Sequence, residues 1–103
     1  MGKNSSINSA GKVIGNVVVH KILEVYTNRP ESVNHLGGEI IEYRNNAVQI
    51  ANEFNWNASD KKRIKLEALK YFKLKMAKKY GDVKFPMGDA IKFLNQTMNE
   101  IGL

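Results

Sequence analysis

Apolar residues recur every three or four positions through four successive segments of this chain. That spacing restricts the chain to helices packed against one another. The pattern is longest from Glu31 to Phe54, where Val33, Leu36, Ile40, Tyr43, Ala47, Ile50, Ala51 and Phe54 fall on one stripe, widened by Ile41 and Val48. From Ala58 to Tyr80 the sequence is dominated by Lys, Leu, Glu, Ala and Met, all good helix formers, and Leu66, Leu69, Phe72, Met76 and Tyr80 make one face. From Met87 to Ile101 the face is Met87, Ala90, Ile91, Leu94, Met98 and Ile101. From Ser9 to Thr27 the face is Ile14, Val18, Ile22 and Val25, but here a second reading stands beside the first. Val13, Ile14, Val17, Val18, Val19, Ile22 and Val25 are all β-branched, and the run Val17 to Val19 would also suit a buried strand.

Local signals bound these segments. Pro30 restricts the residue before it, so Thr27 to Pro30 ends the first. Gly37 and Gly38 together cost about 2 kcal/mol in a helix interior relative to alanine; either the second helix starts after them or another backbone approaches there. Asn57 fits an N-cap, with the Asp60 carboxylate at N3 beside the positive end of the helix dipole. Lys78 and Lys79 suit the last turn, and Gly81 the C′ position. Gly102 and Leu103 match the C′ and C″ positions of a Schellman ending. The expected fold is therefore all-α: a compact single-domain bundle of about four helices over residues 9–103, behind a flexible polar tail at 1–8. The alternative is α+β, with residues 12–26 as a strand or hairpin and Asp82 to Pro86 as a loop or short strand.

Composition then excludes several classes. At 103 residues the chain is one domain, able to bury roughly 60–65% of its unfolded surface. No apolar run approaches the roughly 20 residues of a membrane span. The absence of cysteine removes disulfide scaffolds, thiolate metal sites and thiol nucleophiles. The opening stretch reads as a poor signal peptide, since Asn16 and His20 interrupt the apolar run. Met1-Gly2 with Ser6 fits the loose myristoylation pattern, but the pattern is short, and a plain polar tail is the reading preferred. Sequons at Asn4, Asn57 and Asn95 occur in a chain with twelve asparagines and match by chance. These observations together lead us to expect a cytoplasmic, unglycosylated protein that does not enter a membrane.

Charge is concentrated in one place. Residues 57–81 carry nine basic and two acidic residues, against a formal net charge of +6 for the whole chain. Lys61, Lys62, Arg63, Lys70, Lys75, Lys78 and Lys79 would attract phosphates by releasing counterions, with Tyr71 among them as a stacking residue. Lys65 and Lys73 belong to the same cluster. On a wheel of 100° per residue these charges form a ring rather than a stripe, which a solvated helix with lysine stems lying over apolar surface would also show. Eight of the nine are Lys, which suits backbone contact more than bidentate base reading. The leading expectation is a small basic helical protein that binds nucleic acid, DNA or RNA, through backbone phosphates. The alternative is a non-enzymatic adaptor or oligomeric subunit. Its second apolar face of Ile64, Tyr71 and Leu74 on helix 58–80 would meet a second copy or an acidic protein partner.

Other features carry less. Trp56, in the Asn55-Trp56-Asn57 corner, reads as a plug at the bundle end or as a base-stacking residue. Segments two and three, joined there by so short a turn, also admit a helix-turn-helix reading. His20 with Glu24, and His35 with Glu39, share helix faces at i, i+4, a sparse metal pattern without the Glu-x-x-His of di-iron bundles. Gly11 and Gly15 lack the rest of a phosphate loop. No spacing selects a catalytic group, so neither enzymatic activity nor a cofactor or metal is expected.

Overall fold

A computed structural model describes residues 3–26, 45–46, 48–52 and 55–103 of the chain. Helix α1 spans Lys3–Tyr26, α3 spans Ala58–Lys79 and α4 spans Met87–Glu100; of α2, the helical residues 45–46 and 48–51 are described. There is no strand among the described residues, and the fold is an all-α bundle. Residues 12–26 are helical, so the strand alternative fails there, and residues 82–86 form a turn and loop.

The reason lies in how α1 is used. Ile14, Gly15, Asn16, Val17, Val18, Val19 and His20 are all buried, so the middle of α1 is covered on every side. A helix apolar around its whole circumference is a central one, and enclosure on all sides overrides the modest strand preference of three consecutive valines. The expected face holds at Ile14, Val18 and Ile22, while Val25 is 59% exposed. The helix also begins earlier than expected. Residues 3–8 are its first turns rather than a tail, with Ser6 and Ile7 buried.

Contact between α1 and α3 is close because it is made by small residues. A Cβ added at Gly11 would stand 2.5 Å from the Glu67 Cβ, and one at Gly15 would stand 2.8 Å from the Ala68 carbonyl oxygen. The two glycines are one turn apart and face Ala68, itself fully buried. Each glycine costs the helix about 1 kcal/mol relative to alanine; what it permits is backbone approach. Gly11 and Gly15 are thus a helix-packing device, the role their sequence context left open.

Local signals at the ends are mostly realised. The Asn57 side chain accepts from the Asp60 N–H at 2.8 Å, and the Asp60 carboxylate accepts from the Asn57 N–H at 3.3 Å, a reciprocal capping box. At the end of α4, the Leu103 N–H donates to the Met98 carbonyl at 2.8 Å and the Gly102 N–H to that of Asn99 at 3.2 Å, with Gly102 at φ 88°. That is the Schellman pattern. Gly81 differs: it does not take a positive φ. The chain leaves α3 through Tyr80, whose N–H donates to the Met76 carbonyl, and a turn closed by Val83 N–H on the Tyr80 carbonyl. Phe85 then returns to the core, its ring 5.5 Å from that of Phe72 in an edge-to-face arrangement. Trp56 is half-buried, packed against the core, and donates from Nε1 to the Ala51 carbonyl at 2.9 Å. It joins the end of α2 to the start of α3, in keeping with a corner plug.

Within α4, Ala90, Leu94, Met98 and Ile101 are buried as expected, but Met87 and Ile91 are exposed and Thr97 takes an inner position. The Thr97 hydroxyl donates to the Phe93 carbonyl at 2.8 Å and accepts from Lys21 Nζ at 3.0 Å, and Lys21 also pairs with Glu100 at 3.7 Å. Of the second segment, Val48 and Ile50 pack against the core and Ala51 is buried. Val33, Leu36, Gly37, Gly38, Ile40, Tyr43, Ala47 and Phe54 lie outside the described residues, so the first helix of a helix-turn-helix unit is described only in part.

Candidate functional site

The inner surface of α3 is a single row. Asp60, Ile64, Ala68, Phe72 and Met76 are its buried residues, each four positions from the next. Residues four apart stack one above another along a helix, so the row forms one ridge lying against its neighbours. The opposite row follows by the same spacing: Lys62, Leu66, Lys70, Leu74 and Lys78. All five are exposed, Leu66 at 57% and Leu74 at 51%. This arrangement differs from the expected one in two respects. Leu66 was assigned to the core and is on the surface. Ile64 was assigned to a partner-facing surface and is 0% exposed. The alternation of apolar and basic residues around α3 offers several apolar stripes. The one chosen places Ala68 against the glycines of α1, where a leucine would not fit.

The basic residues divide accordingly. Lys62, Arg63, Lys70, Lys73 and Lys78 are exposed away from the buried row of α3, and Lys79 is exposed at its end. Of the two acidic residues of α3, Asp60 is buried in the capping box and Glu67 is half-buried with its Cβ against Gly11. The outer half therefore carries positive charge with no exposed carboxylate between Asp60 and Asp82. Lys75 turns inward, its Nζ donating to the Asn16 side-chain oxygen on α1. Tyr71 is half-buried, its Cδ1 3.0 Å from where a Gly15 Cβ would be, with Lys12 Nζ 5.9 Å from its ring centroid. Both were assigned to nucleic-acid contact, and both instead help join α3 to α1. Lys61 and Lys65 are half-buried and flank a cleft toward α4.

Lys73, in the basic cluster but outside the expected phosphate-contacting set, is also exposed. No group of three or more His, Cys, Asp or Glu among the described residues is placed to hold a metal ion. His20 is buried, Glu24 is exposed, and His35 and Glu39 lie outside the described residues. Among the described residues no helix is long and apolar enough to cross a membrane. No protein-family model, curated protein or solved structure matches this chain.

Proposed function

We propose that the outer half of α3 binds nucleic acid through its backbone phosphates and that the protein is not an enzyme. One observation carries the reading. Lys62, Arg63, Lys70, Lys73, Lys78 and Lys79 are all exposed along a helix in which Asp60 is buried and Glu67 half-buried. A convex cationic surface of this kind neutralises phosphates along a strand and releases their counterions. Lysine gives point-charge contacts without bidentate geometry, so binding is weakly dependent on sequence.

Fluorescence anisotropy with labelled single-stranded RNA, duplex RNA and duplex DNA tests this, at about 50 mM and about 200 mM salt, a range over which phosphate-driven affinity falls by orders of magnitude. We expect micromolar binding at low salt. The double variant Lys70→Glu/Lys78→Glu should weaken it at least tenfold and reduce the slope of log affinity against log salt by about two units. Equal affinity in variant and parent would refute the reading.

A second reading, an adaptor, is favoured by one feature that phosphates do not require. Leu66 and Leu74 interrupt the basic row with apolar surface. They replace Ile64 and Tyr71 as the residues that would face a partner. Two copies meeting there would oppose like charges, so the partner of this reading is an acidic protein rather than a second copy. Leu66→Ser/Leu74→Ser should leave nucleic-acid affinity within twofold and weaken only such a partner.

A further inference from the structure

We infer that the cleft between the start of α3 and the end of α4 binds a small phosphomonoester carrying a flat apolar body, of the nucleoside monophosphate class. The cleft has a volume of about 370 Å³, within the range of about 300–1,000 Å³ usual for small-molecule pockets. One wall is cationic, formed by Lys61 and Lys65, one turn apart, with Lys62 at its edge. The facing wall is Asn95 and Asn99, also one turn apart, on α4. The remaining surface is apolar: Met98, buried, and Leu103, packed against the core through the Schellman turn.

This lining is selective by charge. Lys61, Lys62 and Lys65 all line the cleft, so it favours an anionic ligand. No carboxylate side chain lines the cleft. The two nearest in sequence are held elsewhere, Asp60 in the capping box and Glu100 beside Lys21. A phosphomonoester carries a charge near −2 at neutral pH and three acceptor oxygens, which match three lysines. The asparagine amides each offer two donors and an acceptor, a pattern suited to the edge of a heterocycle. Met98 presents a polarisable thioether to an aromatic face or edge. Inorganic phosphate would use only the cationic wall. The site shares Lys62 with the outer row of α3, but Lys70 and Lys78 do not line it.

Titration of the full chain with adenosine monophosphate, adenosine and inorganic phosphate, followed by NMR of the asparagine side-chain amides and the Met98 methyl, tests the inference. The monophosphate should bind at least tenfold more tightly than either of the other two and shift the signals of Asn95, Asn99 and Met98. Asn95→Asp/Asn99→Asp should reduce its affinity at least tenfold. Both positions are exposed, so the fold survives, and Lys65→Gln gives a second, charge-neutralising variant with the same expected direction. Lys70→Glu/Lys78→Glu should leave monophosphate affinity unchanged while weakening polymer binding at least tenfold, which separates this inference from the proposed function. In that same variant, a 5′-phosphorylated trinucleotide binding more tightly than its 5′-hydroxyl counterpart would identify a strand end as the source of the phosphate. Equal binding of the two would leave the free nucleotide as the ligand. Monophosphate binding no tighter than phosphate, or unaffected by both pocket variants, would overturn the inference.

Discussion

Glycine is the residue on which the packing turns, and its effect depends on what surrounds it. At Gly15 an added Cβ would lie 2.8 Å from a backbone oxygen, and at Gly11 2.5 Å from the Glu67 Cβ. Neither neighbour is the free end of a flexible side chain. Gly11→Ala and Gly15→Ala should each lower stability by about 1–3 kcal/mol through overpacking, although alanine is the better helix former by about 1 kcal/mol. Gly88, in the first turn of α4, has nothing within 4 Å of its added Cβ. There the propensity gain is unopposed, and Gly88→Ala should raise stability by about 0.4–1 kcal/mol. Urea denaturation of the three variants checks the opposite signs. Tyr26 gives a pH-dependent counterpart. Its hydroxyl donates to the Asp89 carboxylate, and that hydrogen bond, then burial, then the carboxylate charge raise its pKa above 10.0. Below pH 10 the phenol is protonated in both folded and unfolded chains, and its contribution is fully present. Above it the unfolded tyrosine ionises first, so stability falls until the folded phenol ionises too. The stability difference between the parent and Tyr26→Phe should therefore shrink as pH rises through that window. A constant difference would count against the hydrogen bond.

The start of α3 and the end of α4 were legible in the sequence, and the inward face of α3 was not. The Asn57–Asp60 box and the Gly102–Leu103 turn depend on neighbours within a few positions, so residue type alone identifies them. Asn57→Ala should cost about 1 kcal/mol while Asn57→Asp retains most of the cap, and thermal melts of the pair would distinguish loss of the cap from loss of an unrelated contact. Which side of α3 faces inward is a different kind of question. Ile64, Leu66, Leu69, Tyr71, Phe72, Leu74 and Met76 populate more than one stripe, and the choice among them is made by α1. The glycine-lined surface of α1 accepts Ala68, which brings Ile64, Phe72 and Met76 inward and turns Leu66 and Leu74 out. Gly11-x-x-x-Gly15 was the available clue, and reading it as an incomplete phosphate loop obscured it. The candidate interface suffered the same error. Of the expected set, Lys62, Arg63, Lys70, Lys78 and Lys79 are exposed, Lys61 is half-buried, Lys75 and Tyr71 face α1, and the exposed Lys73 lay outside it. Because Lys70 and Lys78 stand on the outer row, Lys70→Glu/Lys78→Glu should alter stability by less than about 0.5 kcal/mol. Its effect on nucleic-acid affinity can then be read without a folding correction.

For the molecule as a whole, α1 is the organising element, and its first turns are part of that role. The helix has 24 residues, which at about 1.5 Å per residue gives about 36 Å. The long axis of the protein is 40 Å. The polar ties between helices that are described all begin on α1: Asn16 with Lys75 of α3, Lys21 with Thr97 and Glu100 of α4, and Tyr26 with Asp89 of α4. Removing residues 1–8 would have no consequence if they formed a polar tail. Ile7, however, is 1% exposed and belongs to the same buried cluster as Ile64, Phe72 and Leu94. Ile7→Ala should cost about 2–5 kcal/mol, the range for truncating a buried isoleucine. Deletion of 1–8 should cost at least as much, because the helix also loses its first turns. Native domains hold only about 5–15 kcal/mol in total, so the deleted chain should be close to unfolding at room temperature. At the other end of α1, Val25 is 59% exposed, and Val25→Ala should remain within about 0.5 kcal/mol of the parent. Urea midpoints for the two ends of one helix therefore separate its buried start from its exposed finish. A deletion variant with the parent's midpoint would show that residues 1–8 do not hold α1 in place.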